Sequence, residues 1–112
     1  MEATYLRSGD ALIVGPVGRV DEATWKDFDN HLATGVLRAS REALDTLIVD
    51  LSRVDYMSSR GLRALTVARQ QARAVDVAIR LAAPNDVMRE ILAISRYDKL
   101  FPVDDAVPGT GA

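Results

Sequence analysis

The spacing of apolar positions along the chain alternates between the two-residue period of a strand and the three-to-four-residue period of a helix. Two short apolar segments, Thr4 to Arg7 and Ala11 to Val17, flank Ser8-Gly9-Asp10 and predict a hairpin. Pro16 has no amide to donate to a ladder, so the second strand is expected to be irregular there or to lie at an edge. Trp25, Phe28, Leu32, Val36 and Leu37 then recur at helical intervals, with Asp21 placed to cap that helix and Glu22 to put negative charge in its first turn. The run Leu47 to Leu51 predicts a strand covered on both faces by helices, and its apolar character continues through Val54, Tyr56 and Met57 up to two adjacent serines. Leu62, Leu65, Ala68, Ala72 and Val75 mark a second helix, with Arg60, Arg63, Arg69 and Arg73 off its stripe. Val77, Ile79 and Leu81 alternate as a strand. Pro84-Asn85-Asp86 opens a third helix through Val87, Met88, Ile91, Leu92 and Ile94. Tyr97 to Val103 is a closing segment with a terminal strand expected at Phe101 to Val103, and residues 106–112 are expected to form a disordered tail.

Strands alternating with helices of this length require crossover connections. The expected fold class is therefore α/β: one domain over residues 1–105, with a mixed, mostly parallel sheet of four to five strands. An antiparallel edge comes from the first hairpin, and three to four helices pack against the sheet. A length of 112 residues suits a single core, and 48% hydrophobic with 27% charged residues are ordinary globular proportions. There is no apolar run long enough to cross a bilayer and no signal-peptide layout, which makes a cytoplasmic location the expectation and membrane insertion an unexpected one.

Charge and cysteine content remove several classes of chemistry. The absence of cysteine excludes disulfides, thiolate nucleophiles and cysteine-bound zinc. A net charge of −2 offers no general attraction to nucleic acid. His31 is the sole imidazole and has no second ligand near it in sequence, so neither a metal site nor a catalytic base is assigned to it. The carboxylate pairs Asp50 with Asp55 and Asp104 with Asp105 read as turn and loop residues. No phosphate loop, dinucleotide fingerprint or nucleophile elbow is present. No catalytic residue, cofactor or metal is therefore expected.

The hydroxyl-rich turn Met57-Ser58-Ser59-Arg60-Gly61-Leu62 is the most informative stretch, because a strand feeds a helix through it. One serine is explained by capping, which is worth about 1 kcal/mol, and Ser58 takes that role. Ser59 then falls at the first helical position with its hydroxyl free to point outward, while Gly61 permits close approach of a partner or of the neighbouring strand.

Asp50-Leu51-Ser52, Val54-Asp55-Tyr56-Met57 and Ser58-Ser59-Arg60-Gly61-Leu62, with Gly18-Arg19-Val20-Asp21 upstream, resemble the motifs of STAS domains, specifically bacterial anti-sigma factor antagonists. The resemblance runs from about Tyr5 to Val103. It implies a binding module that, when unphosphorylated, engages an anti-sigma factor that is also a serine kinase and so frees a sigma factor. Phosphorylation at Ser59 would end that binding and a serine phosphatase would restore it. Partner contacts are expected at Asp21, Ser58, Ser59, Arg60, Gly61 and Arg63, and a homodimer, at most weak, is compatible with the family. Two positions depart from the family pattern: Ser58 stands where Asp is common, and Arg60 where a small residue is common. The alternative is a constitutive STAS subunit of an ABC transporter or signalling scaffold, without phosphate turnover. A serine hydrolase using Ser59 ranks last.

Overall fold

A computed structural model of the chain describes residues 1–108. The hairpin is β1 (Glu2–Ser8) and β2 (Ala11–Val20), followed by α1 (Trp25–Arg41), β3 (Thr46–Asp50) and β4 (Val54–Met57). Then come α2 (Ser59–Arg73), β5 (Ala78–Ala82), α3 (Asp86–Ile94), α4 (Tyr97–Leu100) and β6 (Val103–Asp104). The sheet runs β1-β2-β3-β5-β6, with β4 paired to β2. Only β1 with β2 is antiparallel; the other pairings are parallel. The α/β class with a mostly parallel sheet and an antiparallel edge is as the periodicity predicts.

The sheet has six strands rather than the expected four to five, because the apolar stretch before the serines is two strands. Leu51 to Arg53 form a step: Asp50 Oδ1 accepts from the Ser52 amide at 2.9 Å, and the Val54 amide donates to the Leu51 carbonyl at 3.0 Å. Both strands run parallel to β2, which pairs with β3 through Ala11–Val14 and with β4 through Gly18–Val20. Pro16 lies in the interval between those two ladders, so its missing amide breaks neither. The irregularity expected there is this change of partner, completed by a register shift at Gly18, whose φ of +110° a residue with a side chain rarely adopts.

The helices all bury their apolar faces in one cluster on one side of the sheet, which corrects the expectation of helices on both faces of β3. Each parallel step (β2 to β3, β4 to β5, β5 to β6) moves the same way across the sheet, and right-handed crossovers taken in one direction stack on one face. Phe28 and Leu32 of α1 and Leu65 of α2 are fully buried against Leu47, Val49 and Leu81, each contributing about 1.5–3 kcal/mol. On the opposite face, Ile13, Ile48 and Ala82 are covered by Val107 from the last described turn of chain. Of the segment expected as a tail, Val107 thus packs on the sheet, while residues 109–112 lie outside the described residues.

Several local expectations shift. The first helix begins at Trp25 rather than directly after Asp21, because residues 22–24 form a turn closed by amides donating to the Asp21 carbonyl. Leu37 and Val75, assigned to apolar stripes, are 50% and 42% exposed; Val75 lies beyond the end of α2. The closing segment contains the helix α4, separated from α3 by Arg96 in a left-handed turn (φ 64°), and its strand is Val103–Asp104 rather than Phe101–Val103. His31 is structural: the Tyr5 hydroxyl lies 2.7 Å from Nδ1 and the Met1 carbonyl 2.9 Å from Nε2, so the ring ties β1 to α1. Burial at this contact pushes the Tyr5 phenol upward. Asp104 accepts two bonds from Arg80 (2.9 and 2.8 Å) and Asp105 pairs with Arg89 at 3.1 Å, giving both carboxylates plain ion-pair roles. No helix among the described residues is long and apolar enough to cross a membrane.

Candidate functional site

The turn between β4 and α2 is held from behind by β2. The Ser58 amide donates to the Val20 carbonyl at 2.8 Å, which continues the β2–β4 pairing by one residue and fixes where the helix starts. Ser58 is extended (φ −76°, ψ 172°), its Oγ accepts from the Gly61 amide at 3.4 Å, and its carbonyl accepts the first helical bond from Leu62 at 3.0 Å. Ser58 is the N-cap, as its place in the sequence predicts, although 3.4 Å makes the side-chain bond a long one.

Ser59 is the first helical residue and is exposed. Its hydroxyl makes no hydrogen bond to a described residue, and it opens into a groove of about 290 Å³ between α2 and α3. Tyr56, Leu62, Ile91 and Ile94 supply the apolar walls, and Ile94 is 77% exposed. An unpaired hydroxyl at the positive end of a fifteen-residue helix, beside apolar surface, is accessible to an enzyme and tolerant of an added anion. No motif in the sequence marks these flanking residues as site residues. The signal was present in α3: Val87, Met88, Ile91, Leu92 and Ile94 make a stripe wider than one packed face needs. Met88 and Leu92 fill the core, leaving Val87 and Ile94 outside. Asn85 positions that wall. Its Oδ1 accepts from the Met88 amide at 2.8 Å, capping α3, and its Nδ2 donates to the Val54 carbonyl of β4 at 3.3 Å.

The other predicted residues surround the turn in different ways. Gly61 is buried, and a Cβ there would lie 2.5 Å from Met57 Cγ and 2.6 Å from Val20 Cγ1. Of its two suggested uses, close approach to the neighbouring strands is the one observed. Arg60 reaches back to α1: Nε lies 3.4 Å from Glu22 Oε1, and the guanidinium lies over the Trp25 ring at 5.4 Å. The bulky cation next to Ser59 is thereby drawn toward the entrance of α1.

Among the described residues Asp21 makes no hydrogen bond or ion pair with the turn. Its Oδ1 accepts from the Ala23 amide at 3.0 Å and from Thr24 Oγ1 at 3.2 Å, and its Oδ2 lies 3.9 Å from Arg19 Nε. The Arg19 guanidinium lies over the Tyr56 ring at 4.5 Å, which links Asp21 to a wall of the Ser59 groove. Arg63 is exposed and has no ion pair among the described residues. Ser58, Ser59 and Gly61 thus form the turn itself, with Arg60 and Arg63 on its α1 side and Asp21 one residue removed.

The sequence model described as the STAS domain matches residues 3–109. BtrV of Bordetella bronchiseptica, provisionally named an anti-sigma factor antagonist, is 31% identical over 103 residues, covering 92% of this chain and 85% of BtrV. A solved anti-sigma factor antagonist from Mycobacterium paratuberculosis is similar with a TM-score of 0.80 at 19% identity, covering 95% of this chain and 86% of that one. The anti-sigma factor antagonist SpoIIAA in its unphosphorylated form is similar with a TM-score of 0.71 at 16% identity, covering 91% of this chain and 87% of that one. The phosphorylated form of Bacillus SpoIIAA gives 0.62 at 16% identity, with 91% and 90% covered. At such identities the structural likeness establishes the fold.

Proposed function

The chain belongs to the STAS domain family, and on that premise we propose that it is an anti-sigma factor antagonist, acting by binding and switched off by phosphorylation at Ser59. Unphosphorylated, it docks on an anti-sigma factor that is also an ATP-dependent serine kinase and so releases a sigma factor. The kinase modifies Ser59 and a phosphatase resets it. The observation that carries this reading is the exposed, unbonded Ser59 hydroxyl at the head of α2, set in an apolar groove. SpoIIAA, solved both with and without phosphate, supports a switch that leaves this fold intact.

The switch needs no large rearrangement. A phosphoserine carries about −1.5 to −2 charges at neutral pH, and the amides at a helix N-terminus favour an anion, so the modified chain keeps its fold. A partner seated on Ile91, Ile94 and Leu62 would have to strip water from that dianion against an apolar wall. A hundredfold loss of affinity needs only about 2.7 kcal/mol, well within the cost of a misplaced phosphate.

Incubating the chain with its cognate kinase and ATP should add one phosphate by intact mass, and Ser59→Ala should abolish it. Ser59→Asp should bind the kinase on the order of a hundredfold more weakly than Ser59→Ala. Phosphorylation of Ser59→Ala at the parent rate would remove the site assignment, and equal binding of the two variants would remove the switch.

A further inference from the structure

The groove beside Ser59 is too small to be a whole interface. A stable interface covers about 800 Å² on each partner, a patch roughly 30 Å across. A partner centred on Ser59 therefore reaches roughly 15 Å from it in each direction, across a molecule that measures 32 × 31 × 27 Å. On the α3 side the apolar wall ends at Ile94. On the other side of α2 lies a second groove of about 470 Å³, lined by Trp25, Asp29, Arg60, Arg63, Ala64 and Val67. Val67 is eight residues along α2 from Ser59, about 12 Å at the helical rise, and so falls within the same footprint.

We propose that this α1–α2 groove is the second half of the docking surface and takes an acidic segment, carrying at least one large apolar side chain, of the same partner that reads Ser59. The inference rests on the function proposed above. Three features of the groove select that occupant. The half-buried ring of Trp25 and the 37% exposed Val67 offer apolar contact, and aromatic rings recur as energetic anchors of interfaces. Arg63 has no carboxylate partner among the described residues. Among the described residues Arg60 is paired with Glu22 alone, in a pair whose side chains are 58% and 75% exposed; such pairs are weak, so the guanidinium can exchange Glu22 for an incoming carboxylate without leaving Trp25. Asp29 is the one acid among the residues lining the groove, against two arginines, so the lining carries one net positive charge. The partner then straddles the N-terminal half of α2, with Ser59 and Ile94 on one flank and Trp25 and Val67 on the other. Arg60, the position that departs most from the family pattern, becomes part of the contact.

The test is titration calorimetry of the purified cognate anti-sigma factor kinase against the full chain and four variants, each checked for folding by circular dichroism. Val67→Glu and Arg63→Glu should each weaken binding at least tenfold, and Arg63→Glu should also flatten the salt dependence. Leu37→Glu, an equally surface-directed change away from the groove, should bind as the parent does. If Val67→Glu and Arg63→Glu bind like the parent while Ser59→Asp is weakened a hundredfold, the groove inference is overturned and the proposed function stands. If the kinase does not bind the parent chain, or Ser59→Asp binds like it, the proposed function fails and the groove falls with it.

Discussion

Gly61→Ala is the sharpest test of how the fold holds the serine turn. Carbon atoms pack best at about 3.5–4.0 Å, and the added methyl would sit 2.5 Å from Met57 Cγ and 2.6 Å from Val20 Cγ1, about an ångström too close to each. Met57 can rotate, but it is 2% exposed and has little space to enter; Val20 is fully buried and stiff about χ1. The start of α2 must therefore move away from β2 and β4, straining the Ser58 amide bond to Val20. Overpacking of this kind costs about 1–3 kcal/mol, against a gain of at most about 1 kcal/mol from replacing glycine in a helix. Gly61 lies in the first turn of α2, where that gain is smaller, so the expected net loss is about 1–2 kcal/mol, or a fall in Tm of roughly 4–9 °C for a chain of 112 residues. Urea unfolding should show a lower midpoint with an unchanged slope. Adding Val20→Ala removes one of the two obstacles, so the double variant should be more stable than the sum of the single effects by at least about 0.5 kcal/mol. A Gly61→Ala chain as stable as the parent, or strictly additive with Val20→Ala, would refute the claim that contact with the strands dictates glycine here.

Two further outcomes follow from named contacts. Asn85→Ala removes both the α3 cap and the bond to the Val54 carbonyl, and thermal unfolding should show a loss of about 1–2 kcal/mol, above that of an ordinary cap. Hydrogen bonds from Arg80 hold the Asp104 carboxyl below its usual value. A carboxylate with a lowered folded-state pKa contributes stability above its unfolded pKa of about 3.9 and loses it as pH falls through the folded value. Both side chains are partly exposed, 42% for Arg80 and 29% for Asp104, so Asp104→Asn should cost only about 0.5–1 kcal/mol at pH 7. That difference should begin to shrink below about pH 4 and close once pH falls past the folded value; a gap as wide at pH 2 as at pH 7 would show that the pair's charge is not its source.

The sequence by itself determined the alternation of strands and helices, the antiparallel hairpin, and Ser58 as the cap with Ser59 just inside the helix. Those features follow from period, turn residues and capping chemistry, which act over a few neighbouring residues. It also carried the family motifs, because they are contiguous. Tertiary structure decided what depends on residues distant in sequence. Splitting the stretch from Leu47 to Met57 into β3 and β4 is visible only once β2 is seen to serve both. The gathering of helices on one face follows from the order of strands rather than from any strand's composition. Ile94 shares the helical spacing of Met88 and Leu92, and it lies outside because those two already fill the space under α3. In the sequence Arg60 is only a departure from the family pattern beside Ser59. Its setting depends on Glu22 and Trp25, more than thirty residues earlier, which only the approach of α1 to α2 brings within reach.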